Sequence, residues 1–168
     1  MLGMTTARDM NQLELITTSP EETQCIGHRL GELVEPGDVF LLVGELGAGK
    51  TCLTQGIARG LGIQDYASSP SFVIMRELYG RLPLYHIDLF RLERLEEISD
   101  LGLDDYLYGN GVSVIEWADR GLGLLPEEHL LIEIEFLGDI QRRLRFTASG
   151  KRYERLITRL KTDCLEEK

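Results

Sequence analysis

The first apolar pattern of the chain alternates with polar residues over 13–18 and predicts a β-strand. Directly after it, apolar residues recur at helical spacing as far as about Val34, which predicts an amphipathic helix. The start of this helix is marked by Ser19, which is suited to cap it, and by Pro20, which fits the first turn. Glu22 stands three residues after the cap and completes the pattern of a capping box.

A short, continuous apolar run over 38–44 predicts a strand that is covered on both faces, as in the interior of a parallel sheet. Helical spacing returns over 50–62. We expect two further pairs of strands, one turning at Gly80 and one across Gly138, so the sheet is expected to be mixed. The remaining strands are predicted at 71–78, 82–88, 112–117, 130–136 and 142–148, with short acidic helices over 92–107 and an amphipathic helix over 151–161.

The segment "GELGAGKT" (44–51), which we name the glycine loop, joins the end of the predicted strand over 38–44 to the start of the helix over 50–62. It satisfies the pattern G-x-x-x-x-G-K-[ST], whose backbone N–H groups surround a polyphosphate and whose glycines lack the Cβ that would block the approach. The lysine places a charge on the β and γ phosphates, and the threonine hydroxyl ligates Mg²⁺. This context predicts an α/β fold, a three-layer P-loop NTPase-like domain with a mostly parallel, partly mixed sheet.

Two carboxylates end predicted strands, where a P-loop requires an acidic partner for its Mg²⁺: Asp88 in "LYHID" and Glu116 in "VIEW". A solvated acid at a strand end is the alternative for each. Ser71, in the hydroxyl-rich segment "YASSPSF", is a candidate contact of the metal or γ-phosphate, with an ordinary linker serine as its alternative. His86 is interpreted as packed or capped rather than as a base. Trp117 is either a core residue or a lid over the nucleotide.

The chain has 168 residues, 43% of them hydrophobic, which is sufficient for one core, so we expect a single domain over 1–168. Its net charge of −10 disfavours an extensive electrostatic interface with nucleic acid. A basic cluster over 142–161 is interpreted as a solvent-exposed face. No signal segment and no run long enough to cross a bilayer are found, so we expect a cytoplasmic protein without membrane contact. Three scattered cysteines predict neither a disulfide framework nor a zinc site.

The motifs for guanine recognition, N-K-x-D or T-K-x-D with D-x-x-G after a strand, are missing from the chain, which favours ATP over GTP. Two other functions stay open. One is a small-molecule kinase in which Asp88 activates an acceptor hydroxyl, although the arginine-rich lid expected of such a kinase is replaced by an acidic segment over 93–105. The other is a nucleotide-gated binding module that orders 68–71 without hydrolysis of consequence.

Four blocks resemble, in this order and spacing, the TsaE (YjeE) family of bacterial tRNA threonylcarbamoyladenosine biosynthesis proteins: "GELGAGKT", "SSPSF", "YHIDLFRL" with "LGLDDYL" after it, and "IEWADRG". The resemblance spans about 19–148. It implies a Mg²⁺-dependent ATPase, slow alone and stimulated by the partner proteins TsaD and TsaB, with which it installs threonylcarbamoyl on adenosine 37 of tRNAs that read codons beginning with A. It implies contact with tRNA only through that complex, which fits the acidic charge.

The resemblance also implies roles for single residues. Lys50 and Thr51 match the lysine and threonine that bind phosphates and Mg²⁺ in the family. Asp88 matches the aspartate that contacts nucleotide, and Glu116 matches the glutamate that binds or supports the metal. The catalytic candidates are therefore Lys50, Asp88 and Glu116, and the metal candidates are Thr51 and Glu116. The candidate nucleotide-binding set is Gly44, Gly47, Ala48, Gly49, Lys50, Thr51, Cys52, Ser71, Asp88, Arg120 and Arg142.

Two positions depart from the family pattern. Family members usually have S-P-T where this chain has S-P-S over 69–71, a mild change because serine keeps the hydroxyl. They have E-W-P where this chain has Ala118, and loss of the proline loosens the loop that carries Arg120. The approach of Arg120 to phosphate therefore stays open. Family members also use a basic residue in the late strand region near the nucleotide, for which Arg142 is the candidate.

Overall fold

The computed structural model describes residues 11–64 and 74–166, and the elements in these ranges follow the predicted order. Within them the strands are β1 Gln12–Thr17, β2 Val39–Gly44, β3 Met75–Tyr79, β4 Pro83–Asp88, β5 Val112–Glu116, β6 His129–Phe136 and β7 Arg142–Ser149. The α-helices in the same ranges are α1 Pro20–Leu33, α2 Lys50–Gly60, α3 Leu95–Ser99, α4 Asp104–Leu107 and α5 Lys151–Glu166, and 3₁₀ helices there span Ala118–Arg120 and Leu122–Leu124.

The strands form one sheet in the order β1-β7-β6-β2-β5-β4-β3. The four central strands β6, β2, β5 and β4 run parallel, whereas β3 pairs with β4, and β7 with β6 and β1, in antiparallel fashion. Both predicted hairpins are confirmed, because Tyr79 pairs with Pro83 and Phe136 with Arg142 at their turns. The prediction of an α/β fold with a mostly parallel, partly mixed sheet is therefore confirmed.

The side chains of β2 alternate between two buried clusters on opposite faces of the sheet. Phe40 and Leu42 join the larger cluster, which the sheet forms with α1, α2 and α5. Val39 and Leu41 join the smaller cluster, which includes residues of α3, α4 and the first 3₁₀ helix. Because β2 is covered on both faces, its sequence is a continuous apolar run rather than an alternating one, and the domain has the three predicted layers.

The start of α1 uses a modified capping box. Ser19 Oγ accepts a hydrogen bond of 3.1 Å from the backbone N–H of Glu22, as the sequence predicts. The Glu22 carboxylate, however, accepts from the backbone N–H and the hydroxyl of Thr18, at 2.6 and 2.9 Å, one residue before the cap. The cap thereby ties the helix to the end of β1 as well as to its own first turn.

Helices α1 and α2 approach each other closely through glycines. A Cβ atom added at Gly56 would lie 2.3 Å from the carbonyl oxygen of Gln24, and one added at Gly60 would lie 2.2 Å from that of His28. These separations are too short for any side chain, so glycine is required by the contact between the two backbones. The contact holds α2 in place, and α2 begins at the end of the glycine loop.

The helices in the described ranges include none that is both long and apolar enough to span a membrane.

Candidate functional site

The glycine loop leaves the end of β2 and returns the chain into α2. Gly47 and Gly49 have φ angles of +81° and +118°, in the left-handed region that favours glycine. Gly49 is also the N-cap of α2, and no side chain caps the helix there. The first N–H groups of α2 therefore face the loop without partners from the helix itself, and they lie at the positive end of its dipole. This arrangement suits a bound anion, above all a phosphate.

Lys50 extends back into the loop rather than into solvent. Its side chain is buried, with the residue only 4% exposed, and Nζ donates hydrogen bonds to the carbonyl oxygens of Gly44 and Glu45 at 2.6 and 2.8 Å. Nζ also lies 4.1 Å from the centre of the Trp117 ring. Burial lowers the pKa of Lys50, while the nearby carboxylates, Glu116 first, act in the opposite direction. The loop thus holds a desolvated cation at the place where phosphate is expected.

A chain of buried hydrogen bonds joins α2 to two neighbouring strands. The hydroxyl of Thr51 donates to Glu116 Oε1 at 3.0 Å, and the second carboxylate oxygen, Oε2, is hydrogen-bonded to His86 Nε2. Glu116 is 2% exposed and His86 is fully buried. When Nε2 carries the ring proton, His86 donates it to the carboxylate oxygen. The bond to Glu116 leaves the lone pairs of the Thr51 hydroxyl oxygen available to a cation.

Asp88 ends β4 directly beside Glu116, to which it is paired in the parallel register of β4 and β5. Its Oδ1 accepts a hydrogen bond of 2.9 Å from the backbone N–H of Phe90. Burial raises the pKa of Asp88, and the negative charge of Glu116 adds to that effect, whereas the Phe90 N–H and the charge of Lys50 oppose it. Asp88 and Glu116 therefore lie together at the carboxyl ends of β4 and β5, where the repulsion between them and the burial of Asp88 disfavour its charged form.

We expect the variant Asp88→Asn to have a higher Tm than the native chain at pH 7.5 in the absence of nucleotide. The pKa of Asp88 is raised in the folded state, so ionising this carboxyl lowers the free energy of unfolding. The protonated carboxyl contributes its full stability only below the unfolded pKa of about 3.8, and this stability is lost as the pH rises through the folded pKa. Asparagine keeps the acceptor for Phe90 without the charge. Thermal melts should show the gain shrinking between pH 7.5 and about pH 4.

The matched control for this measurement is Asp139→Asn, because Asp139 is an exposed aspartate in the turn between β6 and β7. Because this side chain is exposed, Asp139→Asn should change the Tm less at pH 7.5 than Asp88→Asn does. An Asp88→Asn variant that is less stable than the native chain at pH 7.5 would contradict the electrostatic cost inferred for this position.

Trp117 has a strained backbone and lies over the loop lysine. Among the non-glycine residues in the described ranges it alone has a positive φ, of 59°. Its ring is 4.8 Å from that of Phe90, and the guanidinium carbon of Arg120 lies 5.7 Å from it. The ring lies over Lys50, as a lid would, and it also packs against the smaller buried cluster, so both interpretations of Trp117 stay open. Arg120 is held against this aromatic pair and donates to the carbonyl oxygen of Leu92 at 3.1 Å, so its contact with phosphate stays a prediction.

Because Trp117 is the single tryptophan of the chain, its fluorescence reports on this site alone. We expect ATP to change the emission intensity or wavelength, since phosphate competes for the ammonium group under the ring. Titration with ATP and Mg²⁺ measures this change, and Trp117→Phe provides the blank. An unchanged spectrum at ATP concentrations that saturate the protein by calorimetry would show that the nucleotide does not reach Lys50.

Arg142, the first residue of β7, contacts the backbone of the glycine loop. Its Nε donates to the carbonyl oxygen of Ala48 at 3.0 Å, and its guanidinium carbon lies 4.3 Å from the centre of the Phe136 ring. Nη1 donates to three carbonyl oxygens of the turn between β6 and β7, those of Gly138, Asp139 and Gln141. The structure thus brings Arg142 to the loop through the backbone, and its direct contact with a nucleotide stays a prediction.

Cys52 and Ser71 are the remaining members of the candidate nucleotide-binding set. Cys52, the third residue of α2, donates its thiol to the carbonyl oxygen of Pro20 at 3.4 Å. Burial raises the pKa of Cys52, so the thiol is neutral and links α2 to the start of α1. Ser71, together with the rest of the segment over 65–73, lies outside the described residues.

The part of the basic cluster on α5 begins at the opposite end of the strands from the glycine loop, whereas Arg142 lies at the loop itself. Lys151, Arg152, Arg155 and Arg159 line an open groove of about 650 Å³ along α5. Arg152 is paired with Asp38, just before β2, at 2.7 Å. Arg159 is 3.5 Å from Asp163. Several members of the cluster are therefore neutralised within the chain, in line with the interpretation of a solvated face.

The pairing of His86 with Glu116 is one feature that the sequence did not predict. The interpretation of His86 as packed or capped agrees with the structure, where the ring is fully buried and hydrogen-bonded to Glu116. The spacing carries only part of the signal: residues at i and i+2 of a strand lie on the same face, but the order of the strands is needed as well. His86 and Asp88 satisfy that spacing in β4, and β4 is the neighbour of the strand that ends in Glu116.

Comparisons with known proteins agree on one family. The family model described as "Threonylcarbamoyl adenosine biosynthesis protein TsaE" matches residues 17–144. The tRNA threonylcarbamoyladenosine biosynthesis protein TsaE of Bacillus subtilis is 48% identical over 152 residues, which cover 90% of this chain and 95% of that protein. The protein of the same name from Treponema pallidum is 42% identical over 132 residues, covering 79% and 98%.

A solved structure is also similar to this chain. The crystal structure of YdiB from Bacillus subtilis superposes with a TM-score of 0.80 and 41% identity, and the match covers 97% of each chain. The matched ranges include the glycine loop, Asp88 and Glu116. The chain therefore belongs to the TsaE family of threonylcarbamoyl adenosine biosynthesis proteins.

Proposed function

We propose that this chain is a single-domain, Mg²⁺-dependent P-loop ATPase of the cytoplasm that acts with TsaD and TsaB in forming threonylcarbamoyl on adenosine 37 of tRNAs reading codons that begin with A. The observation that carries the proposal is the convergence, in a member of the TsaE family, of a glycine loop with a buried lysine and a Thr51–Glu116 pair. This set of groups suits a triphosphate with its metal better than any other ligand.

The residues at the site fit both ligands. Lys50 exchanges its two carbonyl partners for phosphate oxygens, which are stronger acceptors because they are charged. Thr51 and Glu116 are hard oxygen donors, the ligand type that Mg²⁺ prefers, and their side chains are already in contact. When bound, Mg²⁺ neutralises charge on the phosphate oxygens. Asp88 lies beside Glu116 and is the second carboxylate available to orient water or a metal-bound ligand.

The partners in the proposal account for the acidic character of the chain. A protein with a net charge of −10 is poorly suited to hold tRNA by itself, and it is well suited to a basic surface on another protein. Contact with tRNA therefore takes place through the complex. We expect hydrolysis by the isolated chain to be slow and to rise with those partners, as the resemblance to the family implies.

The test measures phosphate release from ATP by the chain alone and with TsaD and TsaB, followed by nucleoside analysis of the tRNA. We expect turnover to rise with the partners, and Glu116→Ala to abolish both the stimulated hydrolysis and the tRNA modification. Equal turnover with and without TsaD and TsaB would count against the proposal. Stoichiometric transfer of phosphate to a metabolite would favour a small-molecule kinase, and modification without hydrolysis would favour a nucleotide-gated binding module.

A further inference from the structure

His86 occupies a position that hydrophobic packing does not explain. It is fully buried in the central sheet, on a strand whose buried neighbours Leu84 and Ile87 are aliphatic. A buried polar pair such as His86 and Glu116 costs desolvation energy that a well-packed apolar pair does not. An imidazole at this depth therefore indicates a task beyond filling the core.

The task is indicated by what the two oxygens of Glu116 contact. Oε2 is hydrogen-bonded to His86 and Oε1 accepts from Thr51, so the carboxylate is fixed at both oxygens. Without the ring nitrogen, the carboxylate of Glu116 would be held at Oε1 alone, and its last torsion, which is broad for a carboxylate, would be less restricted. With it, one oxygen stays directed at the threonine hydroxyl of the glycine loop.

We propose that His86 is a positioning residue for the metal site, which fixes the Glu116 carboxylate so that Glu116 and Thr51 are preorganised for Mg²⁺ bound with a nucleotide. This inference rests on the proposed function, in that Mg²⁺ and nucleotide bind at the glycine loop. Outer groups that orient a metal ligand by hydrogen bonding typically contribute about 10- to 100-fold in metal affinity or activity. The effect of His86 falls on the metal, and the phosphate contacts of Lys50 and of the loop backbone are independent of it.

The chain offers a matched pair of variants at this position. Glutamine places its amide nitrogen near the site of Nε2 and keeps the donor to Glu116, whereas asparagine places it near Nδ1, one bond short of the carboxylate. His86→Gln and His86→Asn therefore have the same chemical group and differ in reach. Their folding is compared with that of the native chain by thermal melts before any binding is measured.

The measurement is ATP affinity by calorimetry in the presence of Mg²⁺ and again in EDTA. We expect the ratio of the two affinities to fall about tenfold or more in His86→Asn, and to stay within about threefold of the native ratio in His86→Gln. Affinity in EDTA should be unchanged in both. Equal ratios in the native chain and both variants, or an equal loss in both variants, would overturn the inference, as would a fall in EDTA affinity that matches the fall with Mg²⁺.

The outcomes distinguish a failure of the proposed function from a failure of the role assigned to His86. A native chain that binds ATP in neither condition contradicts the proposed function, whereas a native chain with Mg²⁺-dependent binding and an unaffected His86→Asn contradicts only the role of His86. If His86→Asn does not fold, His86→Gln decides alone. Retention of the native ratio then supports the inference, because the amide supplies a donor at Nε2, and a loss of more than about tenfold overturns it.

Discussion

Replacing Lys50 by methionine is expected to weaken ATP binding about 100-fold. The ammonium group is buried in the glycine loop, where its electrostatic interaction with phosphate is screened less than at the surface. Hydrogen bonds to charged groups contribute about 1.5 to 3 kcal/mol each, and 2.7 kcal/mol corresponds to roughly a hundredfold change in Kd. Methionine keeps an apolar side chain of similar length but has no ammonium group to lie under the Trp117 ring, so the main loss is that of the charge. Calorimetric titration with ATP measures it.

The control for this substitution is Lys151→Met, at the exposed first residue of α5 and at the opposite end of the sheet. It removes the same charge from the chain, so a general electrostatic effect on ATP would appear in both variants. We expect Lys151→Met to bind ATP as the native chain does. If Lys50→Met retains native affinity, the glycine loop is not the phosphate site and the proposed function fails with it.

The double variant Gly56→Ala with Gly60→Ala is expected to lose roughly 2 to 6 kcal/mol of folding free energy, since overpacking costs about 1 to 3 kcal/mol at each site. Both new Cβ atoms meet backbone oxygens of α1 at less than 2.5 Å, and backbone cannot move aside as a flexible side chain can. Alanine is otherwise the better helix former by about 1 kcal/mol, so intrinsic propensity predicts the opposite sign. Urea denaturation at constant temperature measures the difference.

Gly123→Ala is the matched control, because a Cβ at Gly123 meets nothing within 4 Å. Its stability should lie within about 0.5 kcal/mol of that of the native chain. Displacement of α2 from α1 also shifts the N-terminal turn that carries Thr51, so the folded fraction of the double variant should bind ATP more weakly. Native stability in the double variant would mean that the two helices separate without cost.

The elements near the glycine loop could be predicted from the sequence because their signals are local. The apolar run of β2 and the cap at Ser19 each need only a few neighbouring residues, and the structure contains both. The same is true of the left-handed glycines of the loop, whose φ angles follow from the motif. The mixed sheet could be predicted as well, because hairpins leave short turns between two strand patterns.

Side-chain partners across the sheet could not be predicted, because they depend on strand order. Nothing local in the sequence indicates that β5 lies between β2 and β4, and this order alone brings Glu116 beside both Thr51 and His86. Backbone propensities likewise do not predict the positive φ of Trp117, since a bulky aromatic residue rarely adopts it. The bonds of Arg142 to backbone carbonyls carry no sequence signature at all.

The position of β2 also bears on how the protein is made. β2 lies between β5 and β6, and both neighbours are synthesised long after it, so the strand that leads into the glycine loop has no sheet to join when it leaves the ribosome. Contacts between distant segments form late and slowly. Nascent chains that end before Glu116 should therefore be unable to retain nucleotide. If the chain binds ATP as proposed, and only when the sheet is complete, ATP would then favour the last step of folding by mass action.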